Sequence, residues 1–213
     1  QIRVAQRQIY SHSDPPQLLL ALNRSTIDME ADLLSPGAGV VYDEEYAGVA
    51  QELQAKGLKA FALPLGRLAE ERGSRVLINT AATAAAAGLV ELDLAAIENV
   101  IAENFRPKGQ RVVQDNLAVA RMAHEMARSR YANDFDWKVR RRDTKRRMLI
   151  NGNQAIGLGA LAAGCRFIAA YPMTPATTIF EFLANIADRY GVVAVQAEDE
   201  IAAICMAIGA NFA

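Results

Sequence analysis

Only two cysteines occur in the 213 residues, Cys165 and Cys205, forty positions apart. With no C-x-x-C pair the chain offers no self-contained zinc or iron–sulfur ligand set, and nothing in it requires an oxidising compartment. Both cysteines sit in apolar runs and are expected to be buried thiols. No apolar run reaches about 18 residues, so no membrane-spanning helix is expected, and no secretory leader pattern is present. Neither sign of charge dominates: 23 Lys and Arg against 24 Asp and Glu give a net charge of −1, which supplies no whole-chain attraction to nucleic acid. Aromatic residues are scarce, at 7%. Gly152-x-x-x-x-Gly157 lacks the Lys-Ser/Thr of a phosphate-binding loop, and no G-x-S-x-G elbow occurs. The two histidines, His12 and His124, have no metal-ligand spacing. Both read as structural or solvated, His12 in its turn being the better placed to meet a ligand.

What is present is a 52% apolar, alanine-rich composition suited to helices packed closely on a sheet. Short apolar runs at Leu18–Leu22, Val40–Tyr42 and Ala60–Pro64 alternate with helical segments at Asn23–Leu34 and Tyr46–Lys56, the second stopped by Gly57. Strands alternating with helices argue for a parallel α/β sheet. Gln1–Val4 also reads as a strand. From Asn79 the pattern turns helical: an alanine-rich helix to Leu89, a helix capped by Asp93 running to about Phe105, and a third from Val112 to Arg128. Leu94, Ile97, Val100 and Ile101 are expected on one face of the second, and Val113, Leu117, Ala120 and His124 along one stripe of the third.

A basic run then breaks the composition: Lys138, Arg140, Arg141, Arg142, Lys145, Arg146 and Arg147. It reads as a solvated linker over 136–148, or as a patch for an anionic partner such as a phosphate-bearing coenzyme or an acidic electron carrier. Without interleaved aromatics it is a weak nucleic-acid site. After Asn151-Gly152-Asn153 a second α/β unit begins: a small-residue helix to Ala163 ended by Gly164, a strand Phe167–Tyr171, a helix capped by Thr177 or Thr178 and stopped by Gly191, a strand Val192–Gln196, and a last helix from about Asp199. Both ends read as cut, so the chain is expected to be an internal piece of a longer protein.

In an open parallel sheet, ligands bind beyond the carboxyl ends of the strands. Tyr171-Pro172-Met173-Thr174-Pro175 leaves one strand there and Gln196-Ala197-Glu198-Asp199-Glu200 leaves the next. Pro172 and Pro175 restrict the backbone on both sides of Thr174, whose hydroxyl either caps a helix or donates to a ligand carbonyl or carboxylate. The three acidic residues either complement a helix N-terminus or present one carboxylate inward. Glu200 is the best placed for the second role. Ile201, Ile204 and Ile208 continue its helix on the apolar side, so it is expected to be partly desolvated.

Ala170-Tyr-Pro-Met-Thr-Pro-Ala-Thr-Thr-Ile-Phe-Glu181 resembles the Tyr-Pro-Ile-Thr-Pro motif of the 2-oxoacid:ferredoxin oxidoreductases, with Met173 in place of isoleucine. Gln196–Ile204 resembles their Glu-Asp-Glu-Ile-Ala-Ala segment. The likeness extends through Asn151–Gly157 and back to Gln1–Val4, Ile9–His12 and Val41–Asp43, similar to the gamma-type domain of a fused alpha subunit. It implies an α/β fold of two three-layer parallel-sheet domains, the second truncated: a gamma-type domain over 1–135, the linker, and over 149–213 the start of a thiamine diphosphate pyrimidine-binding domain. It implies that Glu200 bonds the aminopyrimidine ring of thiamine diphosphate, that Tyr171 and Pro172 border it, and that Thr174 binds the 2-oxoacid. The diphosphate anchor, Mg2+ and a [4Fe-4S] cluster would belong to a beta subunit, with ferredoxin as acceptor and coenzyme A as co-substrate. An expected substrate-binding arginine would lie beyond Ala213. The implied protein is a cytoplasmic alpha subunit acting on 2-oxoglutarate or pyruvate, with no nucleic-acid or membrane partner. Other thiamine enzymes, of transketolase or indolepyruvate type, and a non-catalytic assembly subunit are the alternatives.

Overall fold

Three parallel strands, β1 (Leu18–Ala21), β2 (Gly39–Asp43) and β3 (Lys59–Leu63), pair in the order β1-β2-β3, with Leu20 opposite Val41 and Val41 opposite Phe61. The computed structural model describes residues 2–5, 7–10, 14–131, 133–139 and 148–213. His12 and most of the basic run lie outside these residues. The chain divides into two compact units, residues 1–143 and 144–213.

In the first unit every residue of β2 is buried, as expected of a parallel strand covered on both faces. Side chains alternate across the sheet. Val41, Phe61 and Leu63 join one apolar cluster, whereas Val40 and Tyr42 join another. The second cluster is completed by Ile27 of α1 (Arg24–Glu30) and by Val49 and Leu53 of α2 (Val49–Ala55). The first is completed by α3 (Leu65–Glu70), α4 (Ile78–Leu89), α5 (Leu94–Phe105) and α6 (Gln110–Tyr131). The sheet therefore lies between two helical layers. Burying each Val, Leu or Phe contributes roughly 1.5–3 kcal/mol.

The alanines of α4 let it approach α6 closely. A Cβ added at Gly88 would lie 2.6 Å from the His124 carbonyl oxygen. His124 is buried on α6, its Nε2 lies 3.0 Å from the Leu92 carbonyl, and it is structural. Asn116, also buried, accepts from Thr80 Oγ1 at 2.6 Å and donates to the Val112 carbonyl at 2.8 Å.

Several sequence expectations change here. Residues 2–5 form no strand, because none of the three strands pairs with them. The short α3 carries no local start signal. Its Gly66 N–H is instead satisfied at 2.6 Å by Asp43 Oδ2, twenty-three residues earlier. Val100 is 55% exposed, since it stands about 100° around α5 from Ile101.

The second unit holds α7 (Gly152–Ala162), β4 (Phe167–Ala170), α8 (Thr177–Tyr190), β5 (Val193–Gln196) and α9 (Glu200–Phe212). β4 and β5 pair in parallel. Asn151 and Gln154 form a reciprocal capping box at the start of α7. Gly164 and Gly191, at φ +94° and +63°, turn the chain out of α7 and α8 in conformations that disfavour other residues. The cap of α8 differs from expectation: Ala176 occupies the N-cap position and makes no side-chain cap, while Thr177 is already helical. The buried-thiol expectation also fails, because Cys165 is half-buried and Cys205 is exposed. Cys205 shares α9 with Ile201, Ile204 and Phe212, which are exposed too, so this helix presents an uncovered apolar surface. No helix among the described residues is long and apolar enough to cross a membrane.

Candidate functional site

Ala170 and Gln196 are the last pair of the β4–β5 ladder, and the Ala197 N–H donates to the Ala170 carbonyl at 3.0 Å just beyond it. Both motif segments therefore leave the same, carboxyl edge of the sheet, where parallel sheets place ligands. From β4 the chain runs through Tyr171, Pro172 and Met173 to Thr174, whose bond to Pro175 is cis. The Thr177 N–H closes this turn on the Met173 carbonyl at 3.0 Å. Tyr171 and Thr174 are exposed and Pro172 is half-buried. Thr174 caps no helix, and among the described residues its hydroxyl has no partner.

From β5 the chain passes buried Ala197 into the acidic triplet. Asp199 is the N-cap of α9: its Oδ1 accepts from the Ala202 N–H at 2.7 Å, and its carbonyl from the Ala203 N–H at 3.1 Å. That carboxylate is committed to the helix. Glu198 and Glu200 are exposed and have no ion-pair or hydrogen-bond partner among the described residues. The partial desolvation expected of Glu200 is not supplied by this chain, because the isoleucines that follow it are themselves exposed.

One contributor was not read from the sequence. Asn153, in the first turn of α7, donates Nδ2 to the Pro175 carbonyl at 3.0 Å and to Thr178 Oγ1. The signal available was a polar residue at the head of a small-residue helix. Its target, across the sheet edge, could not be seen without the fold.

The carboxyl edge of the first unit is arranged differently. Asp43, at the end of β2, is buried, and each of its oxygens accepts a backbone N–H, Gly66 at 2.6 Å and Glu45 at 3.0 Å. Glu44 is held between Arg67 and Arg130 at 3.2 and 3.3 Å. Burial pushes the Tyr42 phenol above its ordinary value, with neighbouring Tyr131 adding to the shift. A shallow, open surface depression lies at the amino end of β3, lined by Lys59, Ala60, Phe61, Asn133 and Asp134. No group of three or more His, Cys, Asp or Glu among the described residues could hold a metal ion.

The family model described as "Pyruvate ferredoxin/flavodoxin oxidoreductase" matches residues 1–126, more than half of the chain. The chain belongs to this oxidoreductase family. A second model, "Pyruvate flavodoxin/ferredoxin oxidoreductase, thiamine diP-bdg", matches residues 158–213, which contain both motif segments of the sheet edge. The 2-oxoglutarate synthase subunit KorA of Archaeoglobus fulgidus is 48% identical over 65 residues, covering 30% of this chain and 19% of that protein. The 2-oxoacid:ferredoxin oxidoreductase 1 subunit alpha of Sulfurisphaera tokodaii is 33% identical over 134 residues, covering 57% and 20%. The chain therefore spans about a fifth of the length of these curated relatives. Among solved structures, the 2-oxoglutarate:ferredoxin oxidoreductase from Magnetococcus marinus, with 2-oxoglutarate, coenzyme A and succinyl-CoA bound, matches at a TM-score of 0.83 and 28% identity. That match covers 98% of this chain and 36% of the other. The oxidoreductase chain thus has an α/β fold with parallel sheets shared with that enzyme.

Proposed function

We propose that this chain is part of the alpha subunit of a cytoplasmic 2-oxoacid:ferredoxin oxidoreductase. The reaction converts a 2-oxoacid and coenzyme A to acyl-CoA and CO2, and two electrons pass to ferredoxin. The observation that carries the reading is the Ala170–Gln196 pairing, which brings Thr174 and Glu200 out at one sheet edge. The family description naming thiamine diphosphate binding over residues 158–213 supports it. So do the names of the relatives, among them a 2-oxoglutarate synthase subunit and a 2-oxoglutarate:ferredoxin oxidoreductase.

The residues at this edge fit the pyrimidine end of thiamine diphosphate. That ring needs a carboxylate partner and an open face, and Glu200 supplies an exposed carboxylate that no described side chain engages. When bound, thiamine diphosphate supplies the electron sink for decarboxylation. Glu200 holds a proton at ring atom N1′. Tyr171 and Pro172 border the same edge and restrict where the ring can lie. The Thr174 hydroxyl donates to the carboxylate or oxo oxygen of the 2-oxoacid, orienting the bond to be broken. A hydrogen bond to a charged group contributes about 1.5–3 kcal/mol. The diphosphate anchor, its Mg2+ and the [4Fe-4S] cluster belong, in this reading, to a beta subunit.

The test is purification of the full-length subunit with its native partner, followed by ferredoxin reduction assayed with 2-oxoglutarate, pyruvate and a branched 2-oxoacid. Coenzyme A-dependent reduction, fastest with 2-oxoglutarate, is expected. No reduction with any 2-oxoacid, by a complex loaded with thiamine diphosphate and iron–sulfur clusters, overturns the reading.

A further inference from the structure

Among the described residues, one side chain from outside its own segment secures the Thr174 turn. Asn153 Nδ2 donates to the carbonyl of Pro175, the residue after Thr174, at 3.0 Å. The same nitrogen donates to Oγ1 of Thr178, in the first turn of α8. A carbonyl only accepts, so the nitrogen of the amide must face Pro175, and this fixes the orientation of the side chain. Asn153 is fixed in turn by its helix: the Asn151–Gln154 capping box sets the start of α7, with mutual contacts of 2.9 and 3.0 Å. Farther along, α7 seats against α8 so tightly that a Cβ at Gly157 would lie 2.7 Å from the Phe182 ring. The turn itself has few internal ties, namely Thr177 N–H to the Met173 carbonyl and a long 3.5 Å approach of Thr178 Oγ1 to the Pro175 carbonyl.

We propose that Asn153 is a positioning residue for Thr174, holding the turn so that the threonine hydroxyl meets the 2-oxoacid at a fixed height above the sheet edge. This rests on the reading of Thr174 as the substrate-binding residue. Asn153 touches neither substrate nor cofactor; it acts through the Pro175 carbonyl and the Thr178 hydroxyl.

The experiment uses the full-length subunit assembled with its partner, and compares Asn153→Asp, Thr174→Val, their double variant, Thr178→Val and Thr178→Ser. Aspartate keeps the shape of asparagine but has no amide donor. Asn153→Asp is expected to raise KM for the 2-oxoacid about fivefold to fiftyfold. The KM for coenzyme A and the affinity for thiamine diphosphate should stay within about twofold, a split that a general loss of stability would not produce. The double variant should be no worse than Thr174→Val alone, because both changes remove the same contact. Thr178→Val should raise the 2-oxoacid KM and Thr178→Ser should restore it. Equal losses for oxoacid, coenzyme A and cofactor, or additive effects of the two changes, overturn the proposal. An unchanged KM in Asn153→Asp beside a raised KM in Thr174→Val overturns the role of Asn153 alone. An unchanged KM in Thr174→Val overturns the substrate-binding reading and this proposal with it. Should Asn153→Asp fail to assemble, the Thr178 pair decides: a wild-type KM in Thr178→Val overturns the proposal.

Discussion

Asp199 and Glu200 are adjacent, yet they are committed to different things. The Asp199 carboxylate closes the first turn of α9 through the Ala202 N–H, whereas the Glu200 carboxylate stands exposed with no described partner. A run of three acids thus resolves into one structural carboxylate, Asp199, and two, Glu198 and Glu200, that no described side chain engages. Asp199→Ala should fray the start of α9 and cost about 1 kcal/mol, while Asp199→Asn should keep most of that stability. Unfolding curves of the purified protein check the difference. Equal stability of the two variants would show that the cap contributes nothing.

Thr174 offers a cleaner separation of substrate from cofactor. The residue is exposed and is not used to cap α8. In the assembled enzyme, Thr174→Val should raise KM for the 2-oxoacid by roughly tenfold to a hundredfold, the factor corresponding to a charged hydrogen bond. Thiamine diphosphate affinity should be unchanged. Steady-state kinetics with a cofactor titration make the comparison, and loss of cofactor binding would contradict the assignment.

The packing of α4 on α6 predicts a stability effect with no functional residue involved. A methyl group at Gly88 meets the backbone oxygen of His124 at 2.6 Å, and backbone cannot rotate away as a side chain can. Gly88→Ala should therefore destabilise by about 1–3 kcal/mol, although alanine ordinarily favours helix. A denaturation midpoint at or above that of the parent would show that the two helices have room to part.

Burial of Tyr42 predicts an alkaline sensitivity. Its pKa is raised in the folded state, chiefly by burial and further by Tyr131, so above the ordinary tyrosine value near 10 the unfolded chain loses this proton first. The unfolded state then binds fewer protons, and stability falls as pH rises from about 10 through the raised folded value. Below pH 10 the contribution is fully present. Tyr42→Phe should show a shallower loss of stability between pH 9 and 11 than the parent, measured by denaturant titration at each pH. Parallel slopes would place the alkaline sensitivity elsewhere.

Much of this was legible in the sequence because it is local. Asp93 at the head of α5 and the glycines at 164 and 191 act within one turn of themselves, and they stop or start helices where the residue types say they should. The two motif segments were legible for a related reason: each follows a short apolar strand, and a parallel sheet sends consecutive strands out at one edge. What escaped depends on distant partners. The Gly66 N–H of α3 is satisfied by Asp43 from the end of β2, and Asn153 reaches the Thr174 turn from another helix. Cys205 was expected to be buried because its neighbours are apolar, but an apolar neighbourhood specifies burial only where something covers it.

The central claim is that Glu200 meets the ring of thiamine diphosphate. Its most direct test is Glu200→Gln in the full-length subunit assembled with its partner, with cofactor-dependent ferredoxin reduction measured beside cofactor affinity. The amide keeps the size of the side chain and removes the charge that holds the ring proton. Oxoacid-dependent reduction is predicted to fall by at least about a hundredfold at saturating cofactor, the loss typical of a missing proton-handling group. Wild-type ferredoxin reduction by Glu200→Gln would contradict the account.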